Sequence, residues 1–214
     1  MIDRKMYYLQ MQALANGIRE KHGVSTDSLG LSKMRSIYIQ EGIKLDLWPH
    51  KMKRVRAAYL IEEGQAYVLL NKSIKPVEPR LFALAHELKH HLTDQELAKK
   101  NLLGCTTDFA SRSAIEIGAE LFAAEFIFPL EEFRAWVASC LGSAPCGADE
   151  IVQLKRQSPA KISYAFLVKR LEWMGMVARG EFSKFQFVKH EHRLYGLPFY
   201  LRRLDHRRTS IGMS

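Results

Sequence analysis

Apolar side chains fall at helical spacing in several separate stretches of the chain, and as a strand-like pair in one. From 6 to 21 they include Leu9, Leu14 and Ile18, and Gly23 offers a stop. Residues 25–28 are turn-like, and 31–48 fits helix and strand equally. Residues 55–61 and 65–70 are rich in Val, Tyr, Ile, Leu and Ala. Glu62-Glu63-Gly64 separates them, which predicts a hairpin with Gly64 at positive φ. After Lys75-Pro76 and Glu78-Pro79 a helix is predicted over 79–92, because a proline fits a first turn. Its Leu81, Leu84, Ala85, Leu88 and Leu92 form one core-facing stripe. A second helix is predicted over 113–126, stopped by Pro129, and a third over 130–140. The Gly-, Ser- and Pro-bearing stretch 142–147 predicts a boundary between units 1–142 and 143–214. In the second unit, 151–177 reads as helix, turn, helix, punctuated by Ser158-Pro159. Phe166, Leu167, Arg170, Leu171 and Met174 run at helical spacing to Gly175, and Lys161, Lys169 and Arg170 fall on the second of these helices. No structure is predicted for 190–214.

Composition adds a class and a compartment. The chain has 214 residues, 47% hydrophobic and 26% charged, which suits a globular protein with one sizeable core. The opening residues lack an apolar signal-peptide region, and no apolar run approaches the roughly 20 residues that span a bilayer. Cys105, Cys140 and Cys146 are odd in number and form no CxxC, which argues against a disulfide framework or a thiolate zinc site. A cytoplasmic location without membrane contact is therefore expected.

The charge is unevenly spread. Residues 151–214 hold 13 Lys and Arg against 4 Asp and Glu, a net of +9, which is the net charge of the whole chain. A basic cluster also stands at Lys51, Lys53, Arg54 and Arg56. The basic tail suggests an acidic partner, either nucleic acid or protein, or else a merely soluble surface.

The candidate chemistry lies on the first predicted helix. His86-Glu87-Leu88-Lys89-His90 is an HExxH motif. Residues i and i+4 share a helix face, so both imidazoles can reach one ion while the leucine stripe builds the core. Glu87 lies about 100° round from His86, where it cannot easily ligate but can hydrogen-bond a water on the metal. A catalytic zinc commonly takes three protein ligands. Glu116 and Glu120 share a face of the next helix. Glu116 is the first candidate ligand, with Glu120 accepting the N–H of a ligating histidine and fixing its tautomer. The alternative is a capping box, Ser113-Ala114-Ile115-Glu116, which would engage Glu116 with backbone and make Glu120 the ligand. Glu125 is a weaker candidate. His91 is rotated off the His90 face and reads as a surface or supporting residue. His190 and His192 form an H-x-H pair with a weak metal signal.

Leu84-Ala85-His86-Glu87-Leu88-Lys89-His90 resembles the A-H-E-L-G-H core of the ImmA/IrrE-type metallopeptidases. The segment 116–129, Glu116-Ile117-Gly118-Ala119-Glu120-Leu121-Phe122-Ala123-Ala124-Glu125-Phe126-Ile127-Phe128-Pro129, resembles their E-x-x-A-N-x-F-A-A-x-L-L-M-P block. The resemblance is sharp over 84–129. Lys89 departs from the usual glycine and Glu120 from the usual Asn or Asp. Lys89 is expected to face between the ligands and solvent.

The resemblance implies an α+β, zincin-like fold: a small antiparallel sheet packed on the metal-binding helix, followed by a small, mainly helical C-terminal unit. It implies metal ligands His86, His90 and Glu116, with Glu87 as the catalytic glutamate, and Zn2+ as cofactor. The donor set also suits Mn2+ or Co2+. It further implies an endopeptidase of a bacterial or mobile-element regulatory system that cleaves a helix-turn-helix repressor. The substrate is expected to lie extended along a sheet edge, to which residues 67–70 are assigned. The competing expectations are a peptidase-fold regulator that binds its partner without cutting, and a factor whose basic C-terminal region contacts DNA.

Overall fold

The computed structural model describes residues 4–48, 55–99, 114–142 and 146–198. Cys105, Ser113 and the basic residues Lys51, Lys53 and Arg54 lie outside these, as does 199–214. The chain divides into two compact units, one of residues 1–139 with 158–163, the other of 140–157 with 164–214.

The first unit is α+β. Helix α1 (Arg4–Lys21) and helix α2 (Leu31–Gln40) precede strand β1 (Ile43–Trp48), so the ambiguous 31–48 stretch holds one element of each kind. Strands β2 (Ala57–Glu62) and β3 (Gln65–Asn71) form the hairpin. Glu62 pairs with Gln65, leaving a two-residue loop with φ of 50° at Glu63 and 78° at Gly64. Positive φ at both loop positions matches the right-handed twist of the strands.

The sheet is mixed rather than antiparallel. Its order is β1-β3-β2, with β2 antiparallel and β1 parallel to β3. Only the hairpin pairing is local, and β1 joins by a long-range parallel pairing, Leu45 to Val68, which no turn signal announces. β3 is therefore the centre, and residues 67–70 belong to no edge. Among the described residues the edges are β1 and β2.

Helix α3 (Val77–Thr93) starts two residues earlier than expected, with Pro76 at its N-cap and Pro79 at the third helical position. N–H groups of the first turn have no intrahelical acceptor, so neither proline costs a bond. Leu81, Leu84, Ala85 and Leu88 are fully buried. Burial of each leucine contributes roughly 1.5–3 kcal/mol. The short α4 (Gln95–Lys99) follows, then α5 (Ala114–Ile127) and α6 (Leu130–Leu141).

Helix α1 frames α5. Tyr7 donates to Ala114 O at 3.0 Å and lies over Gly118, where a Cβ would stand 2.1 Å from the Tyr7 oxygen. Tyr8 donates to Glu125 at 2.9 Å, and Glu125 accepts from Leu130 N at 3.1 Å. The buried Glu125 thus caps α6. Arg19 donates to Phe126 O at 2.8 Å and reaches Thr26 and Glu132. That bond satisfies a carbonyl in the last turn of α5.

The second unit holds α7 (Ala148–Gln157), α8 (Tyr164–Trp173) and α9 (Phe187–Tyr195). Asp149 and Glu150 in the first turn of α7, and Lys155 and Arg156 in the last, complement its dipole. Tyr164 stacks on Phe187 at 4.9 Å, and Arg156 pairs with Glu191 at 3.0 Å. Lys161 precedes α8 instead of lying on it, because the helix starts only after Ser163. Arg170 is on α8 but buried beside Phe166 and Trp173, so it is not presented to phosphates. No helix among the described residues is long and apolar enough to cross a membrane.

Candidate metal centre

His86 and His90 project from the same face of α3, and Glu116 meets them from the first turn of α5. The two imidazole Nε2 atoms are 3.2 Å apart. Glu116 places Oε2 at 3.3 Å from His86 Nε2 and Oε1 at 3.6 Å from His90 Nε2. A tetrahedral zinc with bonds of about 2.1 Å holds its ligand atoms about 3.4 Å apart. The donor types and separations therefore fit such an ion, and these three residues form the metal-competent group among the described residues.

One of the two imidazoles, His90, is held from behind. His90 is fully buried, and its Nδ1 lies 2.7 Å from Asp94 Oδ2. That contact puts the proton on Nδ1 and leaves the Nε2 lone pair for a metal. Asp94 is the C-cap of α3, four residues beyond His90, with its N–H bonded to His90 O. The same Oδ2 accepts from Lys89 Nζ at 2.7 Å. Lys89 is only 1% exposed, so it does not face solvent as expected. Its ammonium also donates to Ile115 O at 3.2 Å, directly beside Glu116. The buried cation thus ties the support of one ligand to the helix that carries another. Its long stem follows the core, and a carboxylate and a carbonyl satisfy its charge.

Electrostatics bind the group together. Burial alone would lower the His86 pKa, but the Glu116 bond and the charges of Glu87, Glu116 and Glu120 outweigh it and raise it. Burial would raise Glu116, yet His86, His90 and Lys89 hold it below the usual carboxylate range. Asp94 is likewise lowered against its burial by His90 and Lys89. Glu87 is 2% exposed, and its charge reaches His86 and the buried Tyr38, whose hydroxyl donates to Leu84 O.

The remaining sequence candidates fall as follows. For His90 the carboxylate acceptor is Asp94, while Glu120 acts on His86 through its charge. The capping-box partner Ser113 lies outside the described residues, and the Glu116 carboxylate is directed at the histidines. His91 meets Tyr59 of β2 at 3.1 Å, and burial pushes the Tyr59 phenol up to about 12. His190 contacts Asp149 within the second unit. Cys140 and Cys146 are free thiols, and burial, helped by Glu150 and Glu181, pushes Cys146 up to about 11. Asp94 was the residue missed, and its signal was a carboxylate at i+4 from a ligand histidine.

Residues 43–139 match the IrrE N-terminal-like domain, Peptidase_M78, which spans the sheet, α3, α5 and most of α6. No curated protein matches the chain. Over these residues the chain carries an IrrE N-terminal-like domain of the ImmA/IrrE type.

Proposed function

We propose that the protein is a zinc-dependent endopeptidase that cleaves a partner protein, a helix-turn-helix transcriptional repressor, in the cytoplasm. The observation that carries the reading is the His86, His90 and Glu116 group at tetrahedral separations, with Glu87 beside it. Zinc held there supplies Lewis acidity, which polarises an amide carbonyl and makes water acidic near neutral pH. Manganese or cobalt would suit the same donors.

The chain's own groups do the rest. Glu87 takes the proton of the attacking water and returns it to the leaving amine nitrogen. Asp94 keeps His90 in one tautomer, and Lys89 keeps Asp94 ionised. β2 is the edge strand tied to the metal helix, through Tyr59 and His91, and the substrate backbone is assigned to it. The repressor substrate rests on the family resemblance of the two motif blocks.

Zinc-supplied protein, incubated with a set of helix-turn-helix repressors and read by mass spectrometry, tests the reading. Cleavage of a repressor by wild type and its loss in Glu87→Gln is expected. Cleavage retained by Glu87→Gln would sink the role of that residue. Binding without any cut would favour the regulator that acts without proteolysis.

A further inference from the structure

A concavity lies on the side of the metal helix away from the ligands. It is a groove of about 720 Å3 between α2, β1 and α3. Leu84, which lines it, precedes His86 by two residues and so points about 160° away from it round the helix. Five successive residues of β1, 43–47, line the groove. Neighbouring side chains of a strand point to opposite faces, so a groove that meets all five runs along the strand edge. Among the described residues β1 pairs with β3 alone, which leaves that edge to the groove.

The lining is cationic and apolar. Arg35, Lys44 and Arg80 face one carboxylate, Asp46, which accepts from the N–H of its neighbour Leu47 at 2.7 Å. None of the three cations makes an ion pair with a described residue, and Lys44 rests over the Tyr67 ring at 5.5 Å. Arg80 Nε is buried without a hydrogen-bond acceptor. Buried donors of this kind ordinarily have one. Ile39 and Leu47, 77% and 43% exposed, add apolar surface beside the cations.

We propose that this groove docks an extended, acidic segment of a partner protein, which joins the outer edge of β1 as a fourth strand and sets its carboxylates against Arg80 and Arg35. Main-chain bonds along an edge give affinity, and alternate side chains give specificity. Five residues of β1 offer about 17 Å, room for a segment of similar length. Duplex nucleic acid could use the cations but has nothing to pair with a strand edge. The site goes beyond the proposed peptidase activity and does not need the metal.

The test is fluorescence anisotropy on the full chain, with and without zinc, using a labelled hexapeptide of alternating Glu and Val. Its Lys-Val counterpart and a labelled DNA duplex serve as controls. The acidic peptide is expected to bind about tenfold or more tighter than the basic one, as charge complementarity demands. Arg80→Leu and the exposed Arg35→Leu should each weaken it several-fold. Leu47→Pro should do so with all charges kept, since it removes the edge N–H that Asp46 holds at 2.7 Å and that a docked strand would take over. Glu116→Ala should leave binding unchanged. Equal binding of both peptides, or binding untouched by Arg35→Leu and Leu47→Pro, overturns the proposal. So does loss in Glu116→Ala, which would move the peptide to the metal centre. Duplex binding that depends on Arg35 and Arg80, without peptide binding, overturns the choice of occupant.

Discussion

Asp94→Asn removes a single charge and tests how the metal centre is supported. In the native chain one oxygen, Oδ2, accepts from both His90 Nδ1 and Lys89 Nζ, each at 2.7 Å. Two losses follow. The first is the ion pair of Lys89, which is 1% exposed. Removing one partner of a buried pair costs about 3–5 kcal/mol. Asp94 sits at the rim at 9% exposure, so the low end, about 3 kcal/mol, applies. At about 2–4 °C per kcal/mol, the metal-free midpoint should fall by roughly 6–12 °C. The second loss is the anchor of His90. Outer partners of this kind are worth about 10–100-fold in metal affinity, or about 1.4–2.7 kcal/mol. The double variant Asp94→Asn with Lys89→Met separates the two. It removes the orphaned ammonium, so stability should return in large part while metal affinity stays low. Urea unfolding of the metal-free protein reads the first effect and chelator competition the second. If the double variant regained affinity together with stability, Asp94 would act on folding alone, and its role toward His90 would be refuted.

Three further expectations concern pH and packing. In the metal-free protein His86 has a raised pKa, so its contribution to stability is full below its unfolded value near 6.5 and is lost as pH rises through the folded value. Glu116 and Asp94 are lowered, so theirs is present above the ordinary carboxylate range and lost as pH falls. Urea unfolding against pH should show greatest metal-free stability between these limits, while zinc affinity rises with pH as His86 gives up its proton. Gly118→Ala should cost about 1–3 kcal/mol through its clash with Tyr7, and Tyr7→Phe should recover part of that in thermal unfolding. Glu125→Ala should cost about 1–3 kcal/mol, because Leu130 N–H and the Tyr8 hydroxyl lose their acceptor, with zinc affinity unchanged by chelator competition.

Local signals carried much of this structure. The 3.6-residue stripes located α1, α3, α5 and α6 to within a few residues, and the hairpin followed from Gly64 between two β-rich runs. The i, i+4 spacing of His86 and His90 also told which helix face would carry ligands. What stayed hidden depends on contacts distant in sequence. The parallel pairing of β1 with β3 joins residues with no turn between them, so the sheet reads as antiparallel from its hairpin alone. Lys89 looks exposed by composition and is buried, because its partners Asp94 and Ile115 come from a helix end and from another helix. Arg170 looks like a phosphate contact and is instead packed against Phe166 and Trp173. Glu116 had two local readings; its carboxylate lies 3.3 and 3.6 Å from two histidines on another helix, while the capping partner Ser113 lies outside the described residues.

The central claim is that His86, His90 and Glu116 hold one metal ion. Elemental analysis of the purified full chain, wild type beside Glu116→Ala, tests it most directly. The account predicts about one zinc per wild-type chain and little in the variant, as a three-ligand site requires. Full occupancy in both would contradict Glu116 as the third ligand, and no metal in either after zinc is supplied would contradict the metal centre itself.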